Sequence, residues 1–228
     1  MSLAGEAVVS IWHDIADEGR DEFYWWHMHE HMPERVSVPG FLRGRRYIAE
    51  EGRPEFFTLY EAQNLETLAG QDYLTKLNNP TPWTVSTVRY FLNVARSIQQ
   101  VRYSSGSGMG GYLMTVVFEV DDAATFVEHA LTGFLNPVAA KQGVAGVHLC
   151  QTDLGISDTK TAERERRDGG TLMPGWTLMV EAARRKEIDD VRQSWLGAEA
   201  CAAMGMRGDI STAIFRLEYT RTKNAHTP

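Results

Sequence analysis

Histidines 27, 29 and 31 fall within five residues of one another in FYWWHMHEHMPERVSVPGFLRGRRY, residues 23–47, beside Glu30, Glu34, several arginines and a run of aromatic rings. Imidazole titrates near neutrality, so it can take a proton from a carbon acid or phenol and return it elsewhere. The rings can exclude water and shift the pKa values of the groups they enclose. The stretch predicts one wall of a small-molecule pocket, with His31 as general base or acid. His27, four residues earlier on the same helical face, and Glu34 would tune or orient it. Trp12, Tyr24, Trp26, Arg45, Arg46, Tyr47 and Tyr60 are the candidate substrate contacts, the arginines for a carboxylate or enolate.

Each assignment has a plainer competitor. His31 could be a helix-end histidine bonded to a backbone carbonyl, and the arginines could form surface ion pairs worth little. Two histidines at i and i+4 can bind a divalent metal. No HExxH motif is present, Pro33 interrupts the helix before Glu34, and no metal or other cofactor is expected. On a regular helix Trp25, Met28, Met32 and Val36 form an apolar stripe nearly opposite His27 and His31, which would point the histidines at solvent. Arg43, Arg45 and Tyr47 share one face of a strand, and Arg46 takes the other. Pro137 of the second half aligns with His31, so a histidine site should occur once per chain.

The chain has 228 residues, 43% of them hydrophobic, enough to bury a substantial core. A net charge of −7 argues against nucleic acid as a partner. Cys150 and Cys201 have no CxxC spacing and apolar neighbours, which predicts buried thiols in a reducing compartment. No apolar run reaches the length of a membrane span and no signal peptide is evident, so the expected location is cytoplasmic, without membrane association.

Periodicity predicts a strand over residues 7–15, a helix from 21, strands near 42–49 and 56–62, a helix near 65–77 and a strand near 95–103. The same βαββαβ order returns at 113–120, 123–142, 147–152, 176–182, 188–204 and 211–219. Between them residues 104–111 have a linker's Ser/Gly-rich composition. The division is a first repeat at 1–104 carrying the histidines and arginines, a linker at 105–111 and a second repeat at 112–228. Val38-Pro39-Gly40-Phe41 lines up with Val144-Ala145-Gly146-Val147, and Phe57 to Ala62 with Trp176 to Ala182 with one residue to spare, which reads as an internal duplication. The charged segment from about Asp153 to Gly175 reads as solvated surface.

A βαββαβ unit leaves one sheet face bare, and two such units can close on each other. The run His31-Met32-Pro33-Glu34-Arg35, with Val38-Pro39-Gly40-Phe41 and Arg45-Arg46-Tyr47, resembles the signature of the EthD-like branch of the dimeric α+β barrel superfamily. The resemblance implies an α+β fold of two tandem ferredoxin-like repeats forming an intramolecular pseudo-twofold barrel. It departs at His27, where the family pattern often has tyrosine. Relatives carry out diverse chemistry, so the resemblance does not choose a reaction. The expected function is cofactor-independent proton transfer of isomerase, cyclase or dehydratase type on an aromatic, lactone or β-keto compound. The alternative is a non-catalytic or stress-related barrel that holds a small hydrophobic ligand. The expected partners are a small hydrophobic or aromatic anionic ligand and a second copy in a homodimer.

Overall fold

Eight antiparallel strands close into one barrel. The computed structural model describes residues 3–159, 161–162 and 174–223. The first half supplies β1 (Ala7–Ile15), β2 (Phe41–Glu51), β3 (Phe56–Ala62) and β4 (Phe91–Gly106). The second supplies β5 (Tyr112–Val120), β6 (Val144–Thr152), β7 (Trp176–Ala182) and β8 (Met206–Thr222). Around the barrel they run β1-β3-β2-β8-β5-β7-β6-β4, with seams at β2 on β8 and β4 on β6, so the bare faces predicted for each half are buried against each other within one chain.

Strand alternation divides the core into three layers. Val8, Trp12, Tyr47, Phe57, Leu59, Leu113, Met179 and Phe215 fill the barrel. On the outer face Val9, Ile11, Phe56, Tyr60 and Ile98 pack under the first set of helices. Met114, Val116, Leu178, Val180 and Ile214 do so under the second.

The strands at the seams are longer than hydrophobicity alone predicts, because their polar ends pair across the halves. Ser104, Ser105 and Gly106 pair with His148, Val147 and Gly146, so the crossing is shorter than its composition suggested and lies in residues 107–111. The predicted helix 65–77 breaks at Gly70 into Leu65–Ala69 and Gln71–Asn78. A further helix, Pro82–Val88, was readable from Thr81, whose hydroxyl caps the Thr84 N–H, and Pro82 in the first turn. Helix 188–204 is likewise two, Arg185–Trp195 and Ala198–Ala203. The segment predicted as solvated surface begins with a packed helix, Leu154–Ser157, where the Ser157 hydroxyl accepts from Ile98 N at 2.9 Å. Its residues 160 and 163–173 lie outside the described ones.

The halves correspond, but not in the register the sequence suggested. Gly40 and Gly143 both sit at φ +84° just before the middle strands, and each carbonyl accepts from the residue after the third strand, Gln63 or Ala183. Gly40 therefore corresponds to Gly143 rather than Gly146. Pairing then makes Arg43 equivalent to Gly146, Arg45 to His148 and Glu61 to Glu181. Phe56–Ala62 and Trp176–Ala182 match over seven residues, every one buried.

Candidate functional site

The histidines lie in a widened helical turn. Arg20–Trp26 is α-helical, His27–His31 is a π-type turn in which the Met32 N–H reaches back to the His27 carbonyl, and Met32–Ser37 resumes the α-helix. Pro33 explains the widening: it has no N–H, and its ring would collide with the carbonyl four residues back in a regular helix. The extra residue rotates the faces. Trp25 is 60% and Met28 37% exposed, while His27 and His31 are 2% and 5% exposed. The stripe that an ideal wheel placed in the core is partly in water, and the histidines it placed in water are buried.

The second half repeats the device. Leu131–Leu135 forms the same wide turn, and Pro137 is the second residue of the helix Asn136–Ala139, as Pro33 is of Met32–Ser37. Pro137 therefore corresponds to Pro33, not to His31. His27 corresponds to Leu131 and His31 to Leu135.

Around the histidines the layer is aromatic. Trp26 lies against the His31 ring at 4.2 Å between centroids, and its Nε1 donates to Glu30 and to Thr84. Tyr60 meets His31 edge-on at 6.3 Å, and the two imidazoles are 5.6 Å apart. Phe23 stands 5.2 Å from His27. Arg46 reaches in from β2: its Nη1 donates to His27 Nδ1 at 3.3 Å and its Nε to Glu218 at 3.2 Å. The guanidinium lies 4.6 Å over the Tyr24 ring, whose hydroxyl donates to Glu218. A guanidinium can only donate, so His27 is held as the neutral tautomer with its proton on Nε2. Burial, then His31, then Arg46 push the His27 pKa well below 6.5. Burial first, then Glu218, raises that of Tyr24.

Glu34 turns to Arg35 at 2.9 Å and Lys76 at 3.7 Å. His29 stacks on the exposed Trp25 at 3.9 Å, with its Nδ1 2.9 Å from the Trp25 carbonyl. Sequence reasoning missed two members. His13 sits among Phe23, Phe56 and Phe91 on the same face, a position that Ile11-x-His13-x-Ile15 alternation could have shown. Glu218 belongs to the last strand and arrives only through the seam with β2. Among the described residues no three His, Cys, Asp or Glu side chains are arranged to hold a metal ion.

The other candidates lie across the sheet, inside the barrel. Arg45 is fully buried between Glu61 and Glu181, each at 2.9 Å, and Arg43 bonds Glu61 at 2.6 Å. His148 Nε2 lies 3.3 Å from Glu181, and Ser104 Oγ lies 2.9 Å from His148 Nδ1. The backbone N–H groups of Ala4 and Gly110 complete the two carboxylates. Burial alone would raise the Glu181 pKa, but Arg45, His148 and Gly110 outweigh it and hold it at about 2. Instead of a surface pair, Arg45 is part of an internal ion cluster. The Tyr47 ring lies 5.7 Å from the Arg45 guanidinium, and Trp12 packs on Phe57 at 4.9 Å. The seven predicted contact residues thus divide: Tyr24, Trp26, Arg46 and Tyr60 join the histidines, whereas Trp12, Arg45 and Tyr47 do not. Cys150 is buried in the barrel and Cys201 under the second helical layer, both as free thiols.

No family profile matches the chain, and no curated protein does. Solved structures do. An anthrone oxidase-like protein is 11% identical, with a TM-score of 0.63 over 97% of this chain and 95% of its own. A protein provisionally described as a monooxygenase from Fusobacterium nucleatum is 8% identical, with a TM-score of 0.60 over 97% and 96%. Another so described from Lactobacillus acidophilus is 12% identical, with a TM-score of 0.57 over 95% and 96%. Fold and likeness together define the class: an α+β barrel built from two ferredoxin-like halves in one chain. Among the described residues no helix is long and apolar enough to cross a membrane.

Proposed function

We propose that this protein is a small-molecule enzyme that moves a proton on an aromatic, lactone or β-keto compound without a cofactor, with its site in the first helical layer. One observation carries the reading. The same wide turn is built in the second half with Leu131 and Leu135, so the turn itself has no need of imidazoles at His27 and His31. Burying them costs more than burying leucine, because each ring brings polar nitrogens out of water.

In this reading neutral imidazole at His31 takes a proton from an acidic C–H, the electron pair moves onto the neighbouring carbonyl oxygen, and the proton returns at another carbon. Arg46 faces the developing negative charge and favours an anionic or enolisable ligand. His27, neutral between Arg46 and His31, positions the second imidazole. The EthD-like residues His31 to Arg35 are consistent with such a site, and the monooxygenase and oxidase-like descriptions of the structural neighbours with a small-molecule substrate.

The test is deuterium incorporation in D2O, followed by proton NMR over a panel of phenols, lactones and β-keto esters. Protein-dependent loss of a C–H signal, absent in His31→Leu, is expected. Exchange undiminished in that variant, or no exchange across the panel, would contradict the reading. The alternative is a barrel that only holds its ligand; it predicts binding that survives His31→Leu and no exchange in either protein.

A further inference from the structure

The barrel has two unlike ends. β1 runs from Val8, beside Glu61 and the ion cluster, to Trp12, beside Phe57 and Ala95 at the other mouth. That mouth holds a cavity of about 500 Å³ with Trp12, Ala95, Thr115, Val117 and Ala213 on its walls. The volume falls in the range of small-molecule sites. It lies across the sheet from the histidines and is not used by the reaction proposed above.

The inequality of the halves opens this space. Strand pairing makes Val117 the counterpart of Trp12, so one half presents a broad indole where the other presents a smaller aliphatic side chain, and the equivalent Ala95 and Ser211 are both small. Trp12 is fixed from behind by Phe57, and its Nε1 donates across the barrel to Thr115 Oγ1 at 3.4 Å. The walls therefore set an indole opposite smaller side chains, with the Thr115 and Ser211 hydroxyls among them. The rim carries Glu119 and Asp209 against one guanidinium, Arg53, which already lies 3.7 Å from Asp14. Net negative charge at the entrance disfavours anions.

We propose that this mouth is a second ligand site, for an uncharged aromatic molecule of about two or three rings. Its ligand class differs from that of the histidine layer, where Arg46 favours an anion.

N-phenyl-1-naphthylamine is the probe, since it brightens on leaving water, and its sulfonated relative 8-anilinonaphthalene-1-sulfonate has the same rings with a negative charge. The neutral dye should bind one site per chain, at least tenfold more tightly than the sulfonate. Ala95→Trp and Val117→Phe fill the cavity from opposite walls, and whichever folds with wild-type circular dichroism should weaken the neutral dye at least tenfold. His31→Leu should leave dye binding unchanged, which separates this site from the proton-transfer reading. Dye affinity within twofold of wild type in the folded cavity variants would overturn the proposal. So would loss of binding in His31→Leu, or equal affinity for the two dyes.

Discussion

At the scale of single residues, charge and burial together make His27 the most informative group. Its imidazole is neutral in the fold, held below 6.5 by burial and by His31 and Arg46, whereas in the unfolded chain it takes a proton near 6.5. The unfolded state therefore binds more protons below that pH, so the stability linked to His27 is complete above about pH 6.5 and declines as pH falls toward the folded value. Thermal midpoints measured from pH 7.5 to 5 should fall for the wild type, and His27→Leu should flatten that slope. Types and spacing made His27, His31 and Arg46 legible in the sequence. What was not legible was their direction, because an ideal wheel has 3.6 residues per turn and Pro33 forces a wider one. His13 and Glu218 escaped for another reason: one is a single histidine on a strand face otherwise made of Val9, Ile11 and Ile15, and the other comes from the last strand.

At the scale of elements, the histidine turn is placed by how closely the following helix approaches β2. Gly44 permits that approach: a Cβ there would stand 2.1 Å from Met32 Sδ and 3.1 Å from the Tyr60 ring. Gly44→Ala should destabilise by about 1–3 kcal/mol, the range for overpacking a tight core, and lower the thermal midpoint by several degrees. An unchanged midpoint would show that the helix can shift freely. Strand and helix order was readable because alternation and turn residues agree over most of the chain. Register between the halves was not, since Val38-Pro39-Gly40-Phe41 matches Val144-Ala145-Gly146-Val147 by letters while the turn that needs positive φ is served by Gly40 and Gly143. Strand ends at the seams were missed because the residues that pair there, such as Ser104 and Ser105, are polar and resemble a linker.

At the scale of the whole molecule, the two halves share one architecture and differ in what they put into it. Both third strands end in Glu-Ala, and the two glutamates meet around Arg45 at the closed end of the barrel. Glu181→Gln would leave that guanidinium half-compensated in the interior and should cost about 3–5 kcal/mol. In the wild type the Glu181 contribution should be intact above its ordinary 4.5 and be lost as pH falls toward about 2, read as an acid unfolding transition. The imidazoles differ from this ion cluster because the second half builds the same turn without them. The proposed function requires that His27 and His31 serve chemistry and not the fold. The most direct measurement is the thermal midpoint, at pH 7.5, of the double variant His27→Leu, His31→Leu, which installs the residue type of Leu131 and Leu135. A midpoint within about 4 °C of the wild type, or above it, is expected, for a change of about 1 kcal/mol or less. A fall of about 10 °C or more would make the histidines structural members of the layer and contradict the claim.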